Sequence, residues 1–121
     1  MSCLKKYSAG YWTDNGAYYY YRTLDGLNYE DTLIQLSADF ADLDIPVKYL
    51  EIDSWWYPKD KVLAVQEWTP LPDIFPNGLE YLQDQTGWPI VAHNRYWSRN
   101  STYDKVNGGD YDFIRGASMR I

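Results

Sequence analysis

The stretch Val47-Lys48-Tyr49-Leu50-Glu51-Ile52 runs directly into Asp53-Ser54-Trp55-Trp56, and the residue types at that junction can do chemistry. A carboxylate there accepts hydrogen bonds from a pair of sugar hydroxyls, while an indole stacks on the apolar face of the ring. The same grammar occurs twice more. Gly10-Tyr11-Trp12 leads into Thr13-Asp14-Asn15, and Ile90-Val91-Ala92 leads into His93-Asn94-Arg95-Tyr96-Trp97. The expected sugar contacts are therefore Trp12, Asp14, Asp53, Trp55, Trp56, His93, Asn94, Arg95 and Trp97. Each cluster also has a plainer reading. Asp53 can cap a loop with the tryptophans as core filling, and Asp14-Asn15-Gly16 is good turn chemistry. His93 can be a satisfied structural histidine, and Arg95 can pair with Asp53 or Asp14 simply to organise a rim.

Other chemistries find little support. One His and one Cys give no zinc set, and the scattered carboxylates lack the spacing of a calcium loop. No G-x-S-x-G, P-loop or G-x-G-x-x-G occurs, so neither a metal nor a nucleotide cofactor is expected. The net charge of −6 argues against nucleic acid, since only Lys5-Lys6 and scattered single cations interrupt the acidic surface. No apolar run approaches the ~20 residues of a membrane span, and Met1-Ser2-Cys3-Leu4-Lys5-Lys6 lacks a signal-peptide core. The single Cys3 excludes an internal disulfide. Asn100-Ser101-Thr102 fits a glycosylation acceptor, a short pattern that decides little. Carbohydrate is the partner class that the aromatic and carboxylate clusters favour.

Elements must hold these clusters together. Gly10 to about Thr13 reads as a short strand, and the tyrosines Tyr18 to Tyr21 read chiefly as packing and loop scaffolding, with the lining of a sugar subsite as the lesser alternative. Asn28 is a good N-cap, with Glu30 and Asp31 in the first turn, where carboxylates suit the helix dipole. Leu33, Leu36, Phe40 and Leu43 recur at helical spacing, and Pro46 forces a stop near Asp44. Residues 47–52 alternate as a strand. The irregular stretch 58–71 reads as a lid or substrate loop. Pro76 suits the first turn of a second helix that carries Leu79 and Leu82, with Gly87 as its C-terminal cap and Pro89 opening a third strand. A turn is expected at 106–110, and Tyr111 to Ile114 could begin another element.

The order is βαβαβ, and strands joined by helices run parallel, so all three clusters emerge at one end of one sheet. Open α/β sheets and barrels build their sites there. With 121 residues the chain is one domain or part of one, whereas a full (β/α)8 barrel takes roughly 250. Two helices cover little of a parallel sheet, which ordinarily needs both faces covered. The expected fold is therefore α/β, a partial (β/α)8 TIM barrel of about three βα units, with residues 1–121 as its N-terminal portion. Its open sheet edge would then need hiding, for example by self-association.

Gly10-Tyr11-Trp12-Thr13-Asp14, Tyr49 through Trp55, and Phe75-Pro76-Asn77-Gly78-Leu79, in that order, resemble the front half of the α-galactosidase and raffinose-synthase clan of glycoside hydrolases. The resemblance spans residues 10–97. It implies that Asp53 matches a carboxylate contacting sugar hydroxyls, Trp55 its neighbouring tryptophan and Trp12 the strand-one aromatic. Ile52 and Ser54 stand where the clan has Asp and Gly, so galactose is not implied. The His93-Asn94-Arg95-Tyr96-Trp97 cluster has no close counterpart there, which suggests a divergent branch. The clan's catalytic carboxylates follow the fourth and sixth strands, so the resemblance implies catalytic residues beyond Ile121 and none within the chain; the alternatives are a non-catalytic carbohydrate-binding protein and a truncated barrel fragment without activity of its own.

Overall fold

The computed structural model describes residues 9–14 and 17–116. Cys3, Lys5, Lys6, Asn15, Gly16 and Ile121, which entered the sequence reading, lie outside those residues. Three strands, β1 (Ala9–Trp12), β2 (Val47–Ile52) and β3 (Ile90–Ala92), alternate with helices α1 (Tyr29–Asp42) and α2 (Gly78–Thr86). The sheet order is β1-β2-β3 with both pairings parallel, so β2 is central and β1 and β3 form open edges. Trp12 pairs with Glu51 and Ile52 with Ala92, which levels the three strand ends.

α1 begins where its cap chemistry dictates. Asn28 Oδ1 accepts from the Asp31 amide at 2.7 Å, and Glu30 and Asp31 occupy the first turn. Leu33 is fully buried, with Ile34, Leu36 and Phe40 packed around the same core. The Leu43 amide closes the last turn on Asp39 O at 3.0 Å, and Asp44 turns away with φ 55°. α2 ends on Gly87, whose φ of 69° is the left-handed geometry that glycine adopts without cost.

α2 starts two residues later than Pro76 suggests. Asn77 does not cap the helix with its side chain. Its Nδ2 donates instead to Glu30 Oε2 at 2.7 Å, and its backbone amide to Glu30 Oε1 at 3.1 Å. A buried carboxylate at the start of α1 thus pins the start of α2. Between helices and sheet lie Leu33, Leu50, Ile52 and Leu82, all without exposed surface, joined by Trp55, Trp56, Tyr57, Phe75 and Trp88.

The irregular stretch 58–71 is tied down rather than free. Lys59 bridges Val65, the Val65 amide donates to Tyr96 O at 2.9 Å, and the Ser98 amide donates to Val65 O at 2.9 Å. Asp60 anchors the loop, accepting from Ser98 Oγ at 2.5 Å and from the Val62 and Ala64 amides at 2.9 and 3.0 Å. Partial burial alone would raise the Asp60 pKa, but these donors together outweigh it and hold it below the usual value. The expected turn holds a single 3-10 turn at Lys105–Asn107, and Tyr111 makes only an isolated bridge to Asp104. In the short acceptor pattern, Ser101 is buried and donates to Gln66 O at 3.1 Å. No described helix is long and apolar enough to cross a membrane.

Candidate functional site

Backbone register brings the three clusters together. The Thr13 amide donates to Glu51 O at 3.1 Å, the Asp53 amide to Thr13 Oγ1 at 3.1 Å, and the His93 amide to Ile52 O at 3.0 Å. The two backbone bonds continue the parallel ladder one step past the strands, and the Thr13 hydroxyl bridges the first two clusters, so the residues that follow stand side by side. Thr13 is fully buried there, a small polar bracket between the first two clusters.

A cleft of about 360 Å³ opens at this end, lined in part by Asp14, Asp53, Ser54, Trp55 and Arg95. Asp53 Oδ1 accepts from the Ser54 amide at 2.6 Å and lies 3.3 Å from His93 Nδ1. No hydrogen bond reaches Asp53 Oδ2 among the described residues, which leaves an acceptor for a ligand hydroxyl. Asp14 accepts from the Tyr19 hydroxyl. Arg95 Nε donates to Ser54 Oγ at 3.2 Å. The fully buried Tyr57 lies beneath, its hydroxyl oxygen accepting from the Arg95 amide at 3.4 Å, and burial raises its pKa. Lys59 also lines the cleft; burial and then the neighbouring Arg95 charge push its pKa down.

The nine residues singled out from sequence separate into distinct places. Asp14, Asp53, Trp55 and Arg95 line the cleft, and His93 reaches it through Asp53. Trp56 does not: it is 2% exposed, and its indole N–H donates to His93 O at 3.0 Å, so it belongs to the core. Trp12 is exposed at the end of β1, outside the cleft wall. Asn94 and Trp97 line a separate, larger hollow of about 930 Å³ with Trp68, Tyr103 and Phe113, and Arg95 borders both spaces.

Trp55 is itself mostly buried, stacked on Phe75 and edge-on to Tyr29. Its indole nitrogen has no hydrogen-bond partner among the described residues. The open aromatic surface comes from Tyr20 and Tyr21, which contact each other edge-on, with Tyr20 lying 5.5 Å from Trp55. The lesser of the two sequence readings of the tyrosines thus describes their place, and Lys59 and Leu63 reach the cleft from the stretch expected to form a lid or substrate loop, although neither they nor Ser54 stood out individually. Four consecutive tyrosines beside a turn are the signal that pointed to the wall. No signal of spacing points to Lys59, because its position depends on the fold of the loop. Among the described residues no group of three metal-ligating side chains assembles.

Comparison with protein-family models, curated proteins and solved structures gives no match. The fold and site define a small α/β domain: an open, three-stranded parallel sheet in βαβαβ order, rich in aromatic residues at its carboxyl end.

Proposed function

We propose that this chain binds carbohydrate at the carboxyl end of its sheet, as the front portion of a glycoside-hydrolase-like (β/α)8 barrel. One observation carries the reading: Asp14, Asp53 and Arg95 share a cleft with Tyr20, Tyr21 and Trp55. Asp53 accepts sugar hydroxyls through Oδ2, and the guanidinium of Arg95 donates to ring or hydroxyl oxygens. The tyrosine rings cover the apolar C–H face of the pyranose. The parent enzyme would cleave an O-glycosidic bond with two carboxyl groups, ~5–5.5 Å apart for retention. Those groups belong to later strands in the resembled clan. Neighbouring βα units, or a second copy of this chain, would cover the open edges at β1 and β3.

A second reading is a carbohydrate-binding protein without catalysis. It is favoured by the cleft's volume of about 360 Å³, within the common ligand-pocket range of ~300–1,000 Å³. Calorimetric titration of the chain with neutral mono- and oligosaccharides tests both. Saturable binding, weakened ~10-fold or more by Asp53→Ala, is expected. Hydrolysis only in a longer polypeptide supplying later strands favours the enzyme, and binding without turnover in either favours the module. Absence of binding to every saccharide contradicts both readings.

A further inference from the structure

Within a chain of 17 acidic and 11 basic residues, two cations stand in the cleft beside its two carboxylates. The ion pairs among the described residues are His93–Asp53, Lys105–Asp112 and Arg115–Asp104. Lys59 and Arg95 take part in none of them, although both share the cleft with Asp14 and Asp53. Both cleft carboxylates are engaged by other groups. Asp53 Oδ1 takes the Ser54 amide and faces His93, and Asp14 takes the Tyr19 hydroxyl.

Arg95 is aimed rather than loose. Its Nε is held by the buried Ser54 hydroxyl at 3.2 Å and its amide by the Tyr57 hydroxyl at 3.4 Å. Its two terminal amino groups make no hydrogen bond among the described residues. Lys59 Nζ stands 5.9 Å from the centroid of the Tyr57 ring. One buried tyrosine therefore supports both cations. The lowered Lys59 pKa reflects burial first and the Arg95 charge second, with Asp53 offsetting only part of it. Two like charges on a common support repel each other, and an anion between them would remove that cost.

We propose that Lys59 and Arg95 form an anion subsite that receives the carboxylate of an acidic sugar, a hexuronate residue. The proposal rests on the carbohydrate reading of this same cleft. The shared chemistry is an oxyanion on a pyranose ring. A planar carboxylate fits the free end of the guanidinium fork with two parallel hydrogen bonds, while the ammonium adds a point charge. Asp53 then takes ring hydroxyls, and its own charge excludes the acidic group from that side of the cleft.

The test is titration of the full chain with a methyl hexuronide, the matching neutral methyl hexoside and a sulfated methyl hexoside, at low and physiological salt. The hexuronide is expected to bind ~10-fold tighter than the neutral sugar, with the preference shrinking as salt rises. Lys59→Gln and Arg95→Gln should each erase most of that preference while melting cooperatively. As a check independent of both variants, the Lys59 side-chain NMR resonance should move on adding hexuronide to the wild-type chain. Equal affinity for charged and neutral sugars overturns the anion subsite and leaves the carbohydrate reading intact. A preference that survives both substitutions, or an unmoved Lys59 resonance, overturns the subsite as well. Tighter binding of the sulfated sugar overturns the carboxylate assignment. Failure of every saccharide to bind overturns both the subsite and the reading beneath it.

Discussion

His93 Nδ1 lies 3.3 Å from Asp53 Oδ1, and the two residues each stand one position past neighbouring parallel strands. The pairing of Ile52 with Ala92 sets this relationship, because parallel register carries the next residues forward side by side. His93 and the Ser54 amide both lie against Oδ1, and Oδ2 takes no hydrogen bond among the described residues.

The Glu30–Asn77 link is the main polar tie between the two helices. Glu30 is fully buried and accepts twice from Asn77, so Glu30→Ala leaves a hole and strips α2 of its anchor. A loss of about 1–3 kcal/mol is expected, with Glu30→Gln losing less because one acceptor remains. Urea unfolding monitored by circular dichroism measures it.

Asp60 makes the 58–71 loop acid-sensitive. Its pKa is depressed in the fold, so its contribution is fully present above the ordinary aspartate range and is lost as pH falls through the folded value. Asp60→Asn should melt lower than wild type at neutral pH, and the gap should close as both are taken into strong acid. Thermal melts at a series of pH values measure the gap.

Much of the fold is legible in the sequence because the signals are local and periodic. Asn28 with Glu30 and Asp31 announces the start of α1, and the 33–36–40–43 spacing announces its inward face as far as Phe40, whereas Leu43 at the C-cap is exposed. Parallel order then follows from connection rules, and with it the meeting of Asp14, Asp53 and His93 at one end. Trp55 and Trp56 show where local signals stop. They are adjacent and chemically identical, yet Trp55 reaches the cleft while packing on Tyr29 and Phe75, and Trp56 turns to His93 and Trp68. Past the end of a strand no period says which way a side chain faces. Lys59 lines the cleft from a loop that folds back on itself, with Lys59 bridging Val65 and Asp60 accepting from Ala64 and from the distant Ser98.

The contrast between those tryptophans is measurable. Trp56→Phe removes the donor to His93 O and part of a tightly packed ring, so about 1–3 kcal/mol of stability should go. Saccharide affinity should change far less than with Trp55→Ala, which removes cleft wall. Paired denaturation and binding curves for the two variants separate the roles.

The most direct test of saccharide binding at this sheet end is NMR titration of the isotope-labelled chain with a bound sugar, read residue by residue. The account predicts shifts concentrated at Asp14, Tyr20, Ser54, Trp55 and Arg95, the residues of one cleft. Shifts confined instead to Trp68, Trp97 and Phe113 in the separate hollow, or no shifts at all, would contradict it.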